Sequence, residues 1–218
     1  MTETNVPDGT DRVAVVDLEG TLSEDANVWM DMNLSLGMTE EEDYELYKKY
    51  RDDPDFTYGD WTEELISRWE HPEDGGTPGE EYFDAFFELP EFRETAHNLV
   101  EELQEQGFYT VLLSGAPDGY TRPAAEHLGV DEHVDSVSLV YEDSEVVAAD
   151  FNQYKTDKTS VLDDLDDEEV WFFGNGYNDV GMAEAADRSF MVPNKDIDYD
   201  AVADHVGSLE EHYEEVSG

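Results

Sequence analysis

The sequence predicts an α/β protein with a central parallel sheet and a helical segment inserted after the first strand, and three observations carry that expectation. Three short apolar runs, Arg12-Val13-Ala14-Val15-Val16, Tyr109-Thr110-Val111-Leu112-Leu113 and Val170-Trp171-Phe172-Phe173, are continuous rather than alternating. That is the pattern of strands buried on both faces. Each run empties into small or oxygen-bearing residues at a glycine turn: Asp17-Leu18-Glu19-Gly20-Thr21, Ser114-Gly115-Ala116, and Gly174-Asn175-Gly176-Tyr177-Asn178-Asp179. Helical stretches lie between the runs, so the strand ends are expected side by side at one edge of the sheet, where open α/β sheets bind ligands.

Taken in order, the first strand delivers two carboxylates two positions apart. On a fully extended chain Asp17 and Glu19 face the same way. Such a pair suits a hard metal ion, or a nucleophile with an acid/base partner. A strand that merely ends in acidic residues is the competing reading in so acidic a chain. From Glu24 to Leu89 the character changes. Helical periodicity covers Asn27 to Leu36, Glu40 to Tyr50 and Asp60 to Trp69; a Pro/Gly-rich break follows from His71 to Gly79, then an aromatic helix around Tyr82 to Phe87. No strand pattern interrupts this segment, and another helix begins near Glu91.

After the second strand, Ser114 is either a functional hydroxyl or a turn serine capping the helix expected from about Tyr120. Lys158 opens a helical segment with Leu162 and Leu165 on one face. Lys155 is its rival, and the chain has only five lysines. The residues from Glu210 onwards read as a short helix with a frayed end. The six histidines, His71, His97, His127, His133, His205 and His212, show no ligand spacing.

With these three strand ends and the intervening lysine, the sequence resembles the haloacid dehalogenase superfamily, and within it the phosphoserine-phosphatase-like branch. Phosphatases of this superfamily carry an aspartate-x-aspartate-glycine-threonine motif, a serine or threonine after the second strand, a lysine, and a glycine-aspartate-glycine-x-asparagine-aspartate loop. The resemblance implies a Rossmann-like core, residues 1–23 and 90–218, with a helical cap, residues 24–89, inserted after the first strand. It implies that Asp17 is the nucleophile that becomes an aspartyl phosphate, a form of carboxylate covalent catalysis. Glu19 stands where the general acid/base is usually aspartate, and its backbone carbonyl falls at a magnesium-ligating position. Ser114, with the N–H of Gly115, matches the phosphoryl-binding hydroxyl, and Lys158 the phosphate-neutralising lysine. Asp179 matches the second aspartate of the last loop and is expected, with Asp17, Glu19 and Asn175, in the metal site. Asn175 departs from the family by replacing a charged magnesium ligand with a neutral amide oxygen.

The activity so implied is magnesium-dependent hydrolysis of a small phosphorylated metabolite, phosphoserine-like in kind. A phosphotransferase or mutase could use the same residues, and a non-catalytic binding module with a decayed metal site is the reading that Asn175 favours. A dehalogenase is disfavoured because that chemistry needs no acid at Glu19. Arg51 and Arg68 are candidates for a carboxylate or second-phosphate clamp. Glu24 and Asp25 are near the position where phosphoserine phosphatases place a cap glutamate, without matching its spacing.

Composition narrows the partners. With 58 acidic and 11 basic residues the formal net charge is −47, which argues against nucleic acid and against anionic membranes. Disorder is excluded by an aromatic content of 12% and by regularly spaced apolar runs. Scarce lysine, acidic residues on every predicted helix face and absent cysteine resemble a cytoplasmic protein of a halophilic archaeon. The amino-terminal residues lack an apolar leader and no stretch approaches the ~18 apolar residues of a spanning helix. At molar salt the Debye length is about 3 Å, so self-repulsion is screened. Melting temperature and activity should therefore both rise steeply from dilute buffer to molar potassium chloride. Thermal melts at several salt concentrations check this, and a flat melting temperature contradicts the halophilic reading.

Overall fold

The computed structural model describes residues 6–24, 27–73, 75–134, 136–152, 158–165, 168–194, 197–199 and 202–218. Its main sheet has six strands: β1 (Arg12–Val16), β2 (Tyr109–Leu113), β3 (Glu132–Val134), β6 (Glu169–Gly174), β7 (Arg188–Met191) and β8 (His205–Val206). Their order is β3-β2-β1-β6-β7-β8, with every neighbouring pair parallel. The expected α/β fold with a central parallel sheet is thus the observed one. β1 lies between β2 and β6, with Val16 opposite both Leu112 and Phe173. This register sets the three predicted strand ends at one edge.

The continuous apolar runs follow from helices covering both faces. Ala14, Val16, Leu112, Trp171 and Phe173 belong to one core, which also takes residues of α5 (Ala96–Glu105), α6 (Asp118–Leu128) and α8 (Leu209–Ser217). Val13, Val15, Val111, Leu113 and Phe172 belong to the other, closed by Val161 and by Met182 and Ala183 of α7 (Val180–Ala185). Alternate residues of one strand thus enter opposite cores.

The inserted segment forms α1 (Val28–Ser35), α2 (Glu40–Asp52), α3 (Tyr58–Ile66) and α4 (Glu80–Phe86). Capping sets their starts. The Asn27 side chain accepts from Met30 N at 3.0 Å, and Thr39 with Glu42 and Thr57 with Asp60 form capping boxes. The Thr57 box starts α3 two residues before the expected Asp60, and α3 ends at Ile66 rather than Trp69. Chain entry and exit are pinned side by side: Ser23 bridges Phe92, and Glu24 N donates to Glu91 O at 2.8 Å.

Three local features differ in detail from the sequence pattern or add to it. The helical segment expected at Lys158 is present as a 3-10 helix, Lys158–Asp164, with Leu162 and Leu165 both packed against the second core. The last helix runs to Ser217 and is held at its start by a Ser208–Glu211 capping box. The sequence reading also missed an antiparallel hairpin, β4 (Val137–Glu142) and β5 (Glu145–Phe151), turning through Asp143 and Ser144 at φ +49° and +69°. The hairpin packs on the inserted helices. Phe151 meets Tyr58 with ring centroids 4.8 Å apart, and Ser144 O accepts from Glu80 N at 3.1 Å. Among the described residues no helix is long and apolar enough to cross a membrane.

Candidate active site

Asp17 continues β1 by one residue, its N–H donating to Phe173 O at 2.9 Å. The chain then turns through Leu18–Leu22, with Gly20 at φ +71°. This turn departs from the extended geometry that would aim Asp17 and Glu19 at one point. The Asp17 carboxylate points into the sheet edge, where Oδ1 accepts from Lys158 Nζ at 2.7 Å and Oδ2 from Thr21 Oγ1 at 3.2 Å. Glu19 reaches instead to the start of α1, where Oε1 accepts from Val28 N at 2.6 Å. A carboxylate at a helix N-terminus meets unsatisfied N–H groups and the positive end of the helix dipole. The Glu19 carboxylate thus ties the first motif to the inserted helices.

Lys158 lies between two carboxylates, 2.7 Å from Asp17 Oδ1 and 2.6 Å from Asp179 Oδ1. All three side chains are buried. Asp179 is fixed from its other side: Oδ2 accepts from Asn175 N at 2.9 Å and Gly176 N at 2.7 Å. Its oxygens therefore serve the lysine and the loop backbone. The arrangement holds one ammonium against two carboxylates. Burial pushes the Asp17 carboxyl up; Lys158 opposes the shift, while Asp179 and Glu19 add to it, and the result is about 7. Burial alone would lower the Lys158 ammonium, but its two carboxylates outweigh that and hold it above the ordinary lysine range. Lys155, the alternative lysine, lies outside the described residues.

Ser114 is buried at the end of β2, with Oγ accepting from Ala116 N at 3.2 Å. It shapes the turn rather than capping α6, whose N-cap is Pro117. Gly115 O accepts from Trp29 Nε1 at 3.0 Å, a second tie between α1 and the sheet edge. Asn175 lies across the first motif: a Cβ on Gly20 would collide with its side-chain amide. Gly20 is thus required both for its positive φ and for this close approach. The donors available at the β1 and β6 ends are the Asp17 carboxylate, the Glu19 backbone carbonyl and the Asn175 amide oxygen. All are hard oxygens, a set that fits magnesium, with Asp17 as its formal negative charge.

Sequence reasoning missed three residues here. Arg93 donates from Nε to Thr21 O and from Nη2 to Gly20 O, each at 3.1 Å, bracing the turn after Asp17. Arg93 also pairs with Glu24 at 3.3 Å, so Glu24 is engaged there. Tyr199 donates its hydroxyl to Asn175 O, and Trp29 makes the tie already described. Each contact spans segments far apart in sequence, and only the scarcity of arginine hinted at Arg93. Of the two clamp candidates, Arg51 lies beside the cavity that contains Glu19 and is held by Asp52 at 2.8 and 3.0 Å. Arg68 is not brought there; just past the end of α3 it pairs with Glu64, Nη2 to Oε1 2.5 Å and Nε to Oε1 3.2 Å. Asp25 lies outside the described residues.

Among curated proteins, none matches this sequence. Solved structures share its architecture. A phosphoserine phosphatase from T. onnurineus, in complex with NDSB-201, is 24% identical over 98% of each chain with a TM-score of 0.73. A phosphoserine phosphatase solved as a phospho-aspartyl intermediate analogue is 17% identical, covering 94% of this chain and 99% of that one, with a TM-score of 0.71. A substrate-bound phosphoserine phosphatase is 16% identical over 94% and 98%, with a TM-score of 0.70. At these identities the likeness establishes the fold. Residues 14–184, from within β1 through most of α7, match the haloacid dehalogenase-like hydrolases, and the chain belongs to that family.

Proposed function

We propose that this hydrolase is a magnesium-dependent phosphatase acting on a small phosphomonoester through an aspartyl-phosphate intermediate. The observation that carries the reading is the buried Asp17–Lys158–Asp179 array at the carboxyl ends of the central strands. An Asp17 carboxylate oxygen attacks phosphorus, and Lys158 offsets the phosphoryl charge. In this reading Asp179 acts through Lys158 and the loop amides it binds, positioning the lysine rather than ligating the metal. Ser114 Oγ and the Gly115 N–H hold phosphoryl oxygens. Glu19, which lines the cavity beside this edge while Val28 N holds its Oε1, protonates the departing alkoxide, then takes a proton from the water that cleaves the aspartyl phosphate. Asp17, Asn175 and the Glu19 carbonyl would hold magnesium, which when bound supplies positive charge to the phosphoryl oxygens. Residues 24–89, joined by the β4–β5 hairpin, act as the cap that excludes water from the reacting centre.

The test is turnover of p-nitrophenyl phosphate and acetyl phosphate in molar potassium chloride, with and without magnesium, together with beryllium fluoride binding as an aspartyl-phosphate mimic. Glu19→Gln should slow alkyl phosphates more than acetyl phosphate, whose leaving group needs little protonation. Equal losses on both would remove Glu19 from the acid role.

Asn175 supports a second reading, a binding module with a weakened metal site, and one substitution weighs the two. Asn175→Asp adds a formal charge to the donor set and should lower the magnesium midpoint on the order of tenfold. If wild type and Asn175→Asp both fail to turn over either substrate, the binding module is the better account. An unchanged midpoint in an active pair would take Asn175 out of the metal site.

A further inference from the structure

A cavity of about 670 Å³ opens between Glu19, the loop Gly176–Asn178 and the inserted helices. On the helix side its wall is aromatic. Trp61 lies with its ring centroid 5.3 Å from Trp29, 5.3 Å from Tyr58 and 5.8 Å from Tyr50. The same wall carries Asp43 of α2, which is only 8% exposed. Asp43 Oδ1 accepts from Asn33 Nδ2 at 2.7 Å, and Asn33 Oδ1 in turn accepts from Trp69 Nε1 at 2.7 Å. Neutral groups thus fix this carboxylate, and no ion pair among the described residues includes it. Arg51, the cation at this cavity, is already engaged by Asp52.

A buried carboxylate without a cationic partner is costly. Ring faces attract a cation through their quadrupoles. The two features together call for a positively charged ligand. Its kind follows from the donor count. A primary ammonium brings three N–H donors that ring faces cannot satisfy, whereas a quaternary ammonium brings none. An amino acid would also bring a carboxylate toward Asp43 and Glu19, where like charges repel.

We propose that this cavity holds the leaving-group end of the substrate and selects the phosphomonoester of an amino alcohol whose nitrogen is a quaternary ammonium. The reacting end of that substrate rests on the phosphatase reading; the cation site stands on the cavity alone. The experiment uses the full chain in molar potassium chloride with chelator, follows tryptophan fluorescence, and titrates choline against its neutral isostere 3,3-dimethylbutan-1-ol. Choline should quench saturably and bind at least about tenfold more tightly than the isostere. Asp43→Asn and, independently, Tyr50→Leu should each weaken choline binding about tenfold while far-UV circular dichroism stays that of the wild type. In the magnesium-loaded protein, kcat/KM for phosphocholine should exceed that for phosphoserine. Absent saturation by choline, equal affinity for the isostere, or preference for phosphoserine overturns the inference. Choline binding without turnover of p-nitrophenyl phosphate would overturn the phosphatase reading and leave the cation site standing.

Discussion

Asp17→Asn should abolish turnover, by at least about 10⁴-fold, and yet leave the metal-free protein no less stable than the wild type. The first half follows from the proposed nucleophile. The second follows from the arrangement of charge: two buried carboxylates share one ammonium, and an asparagine at position 17 still offers Lys158 an oxygen while leaving a neutral Lys158–Asp179 pair. The pH dependence has a definite sign. Because the folded Asp17 carboxyl is raised from 3.8 to about 7, its contribution to stability is fully present below the unfolded value and is lost as pH rises through the folded one. The wild type should therefore lose ground to the Asp17→Asn protein between about pH 4 and pH 8. Thermal melts of both proteins at pH 5 and pH 8, in chelator and molar salt, measure the difference. A constant offset between the two would show that Asp17 carries no excess charge cost.

Lys158→Met should do the opposite to the fold. It leaves Asp17 and Asp179 buried and facing each other without their cation, and removing one partner from a buried ionic array costs about 3–5 kcal/mol. Turnover should fall with it, since no charge then offsets the phosphoryl group. Adding Asp179→Asn to Lys158→Met should recover part of the lost stability without recovering activity. Denaturant unfolding of the two single variants and the double variant completes the cycle. If Lys158→Met unfolds at the wild-type midpoint, the lysine does not neutralise this pair.

The parts of the site that could be read from the sequence lie where one strand ends. Val13–Val16, Val111–Leu113 and Val170–Phe173 are buried on both faces, and a continuous apolar run has few other uses. The residues that follow, Asp17, Ser114 and Asn175, were therefore placed at one edge correctly. The hairpin was missed because Glu142, Asp143, Ser144 and Glu145 carry no Asn-Gly or Asp-Gly turn signal, and because its strands are half exposed. The start of α3 moved by two residues because the Thr57–Asp60 capping box outweighed the apolar periodicity.

By itself, the sequence determined the fold class, the order of chemistry-bearing strand ends and the acidic character of the chain, because burial periodicity and charge are local properties. Only the tertiary structure decided the partners. Whether Glu19 would face Asp17 or the α1 N-terminus depended on a turn at Gly20. Whether Asp179 would reach Lys158 depended on loop amides binding its other oxygen. Whether Asp43 would be an ordinary surface acid or a buried carboxylate on the wall of an aromatic-lined cavity depended on how α1, α2 and α3 pack. Each of these contacts joins groups whose separation in sequence carries no periodic signal, so their geometry is fixed only when the separate segments pack.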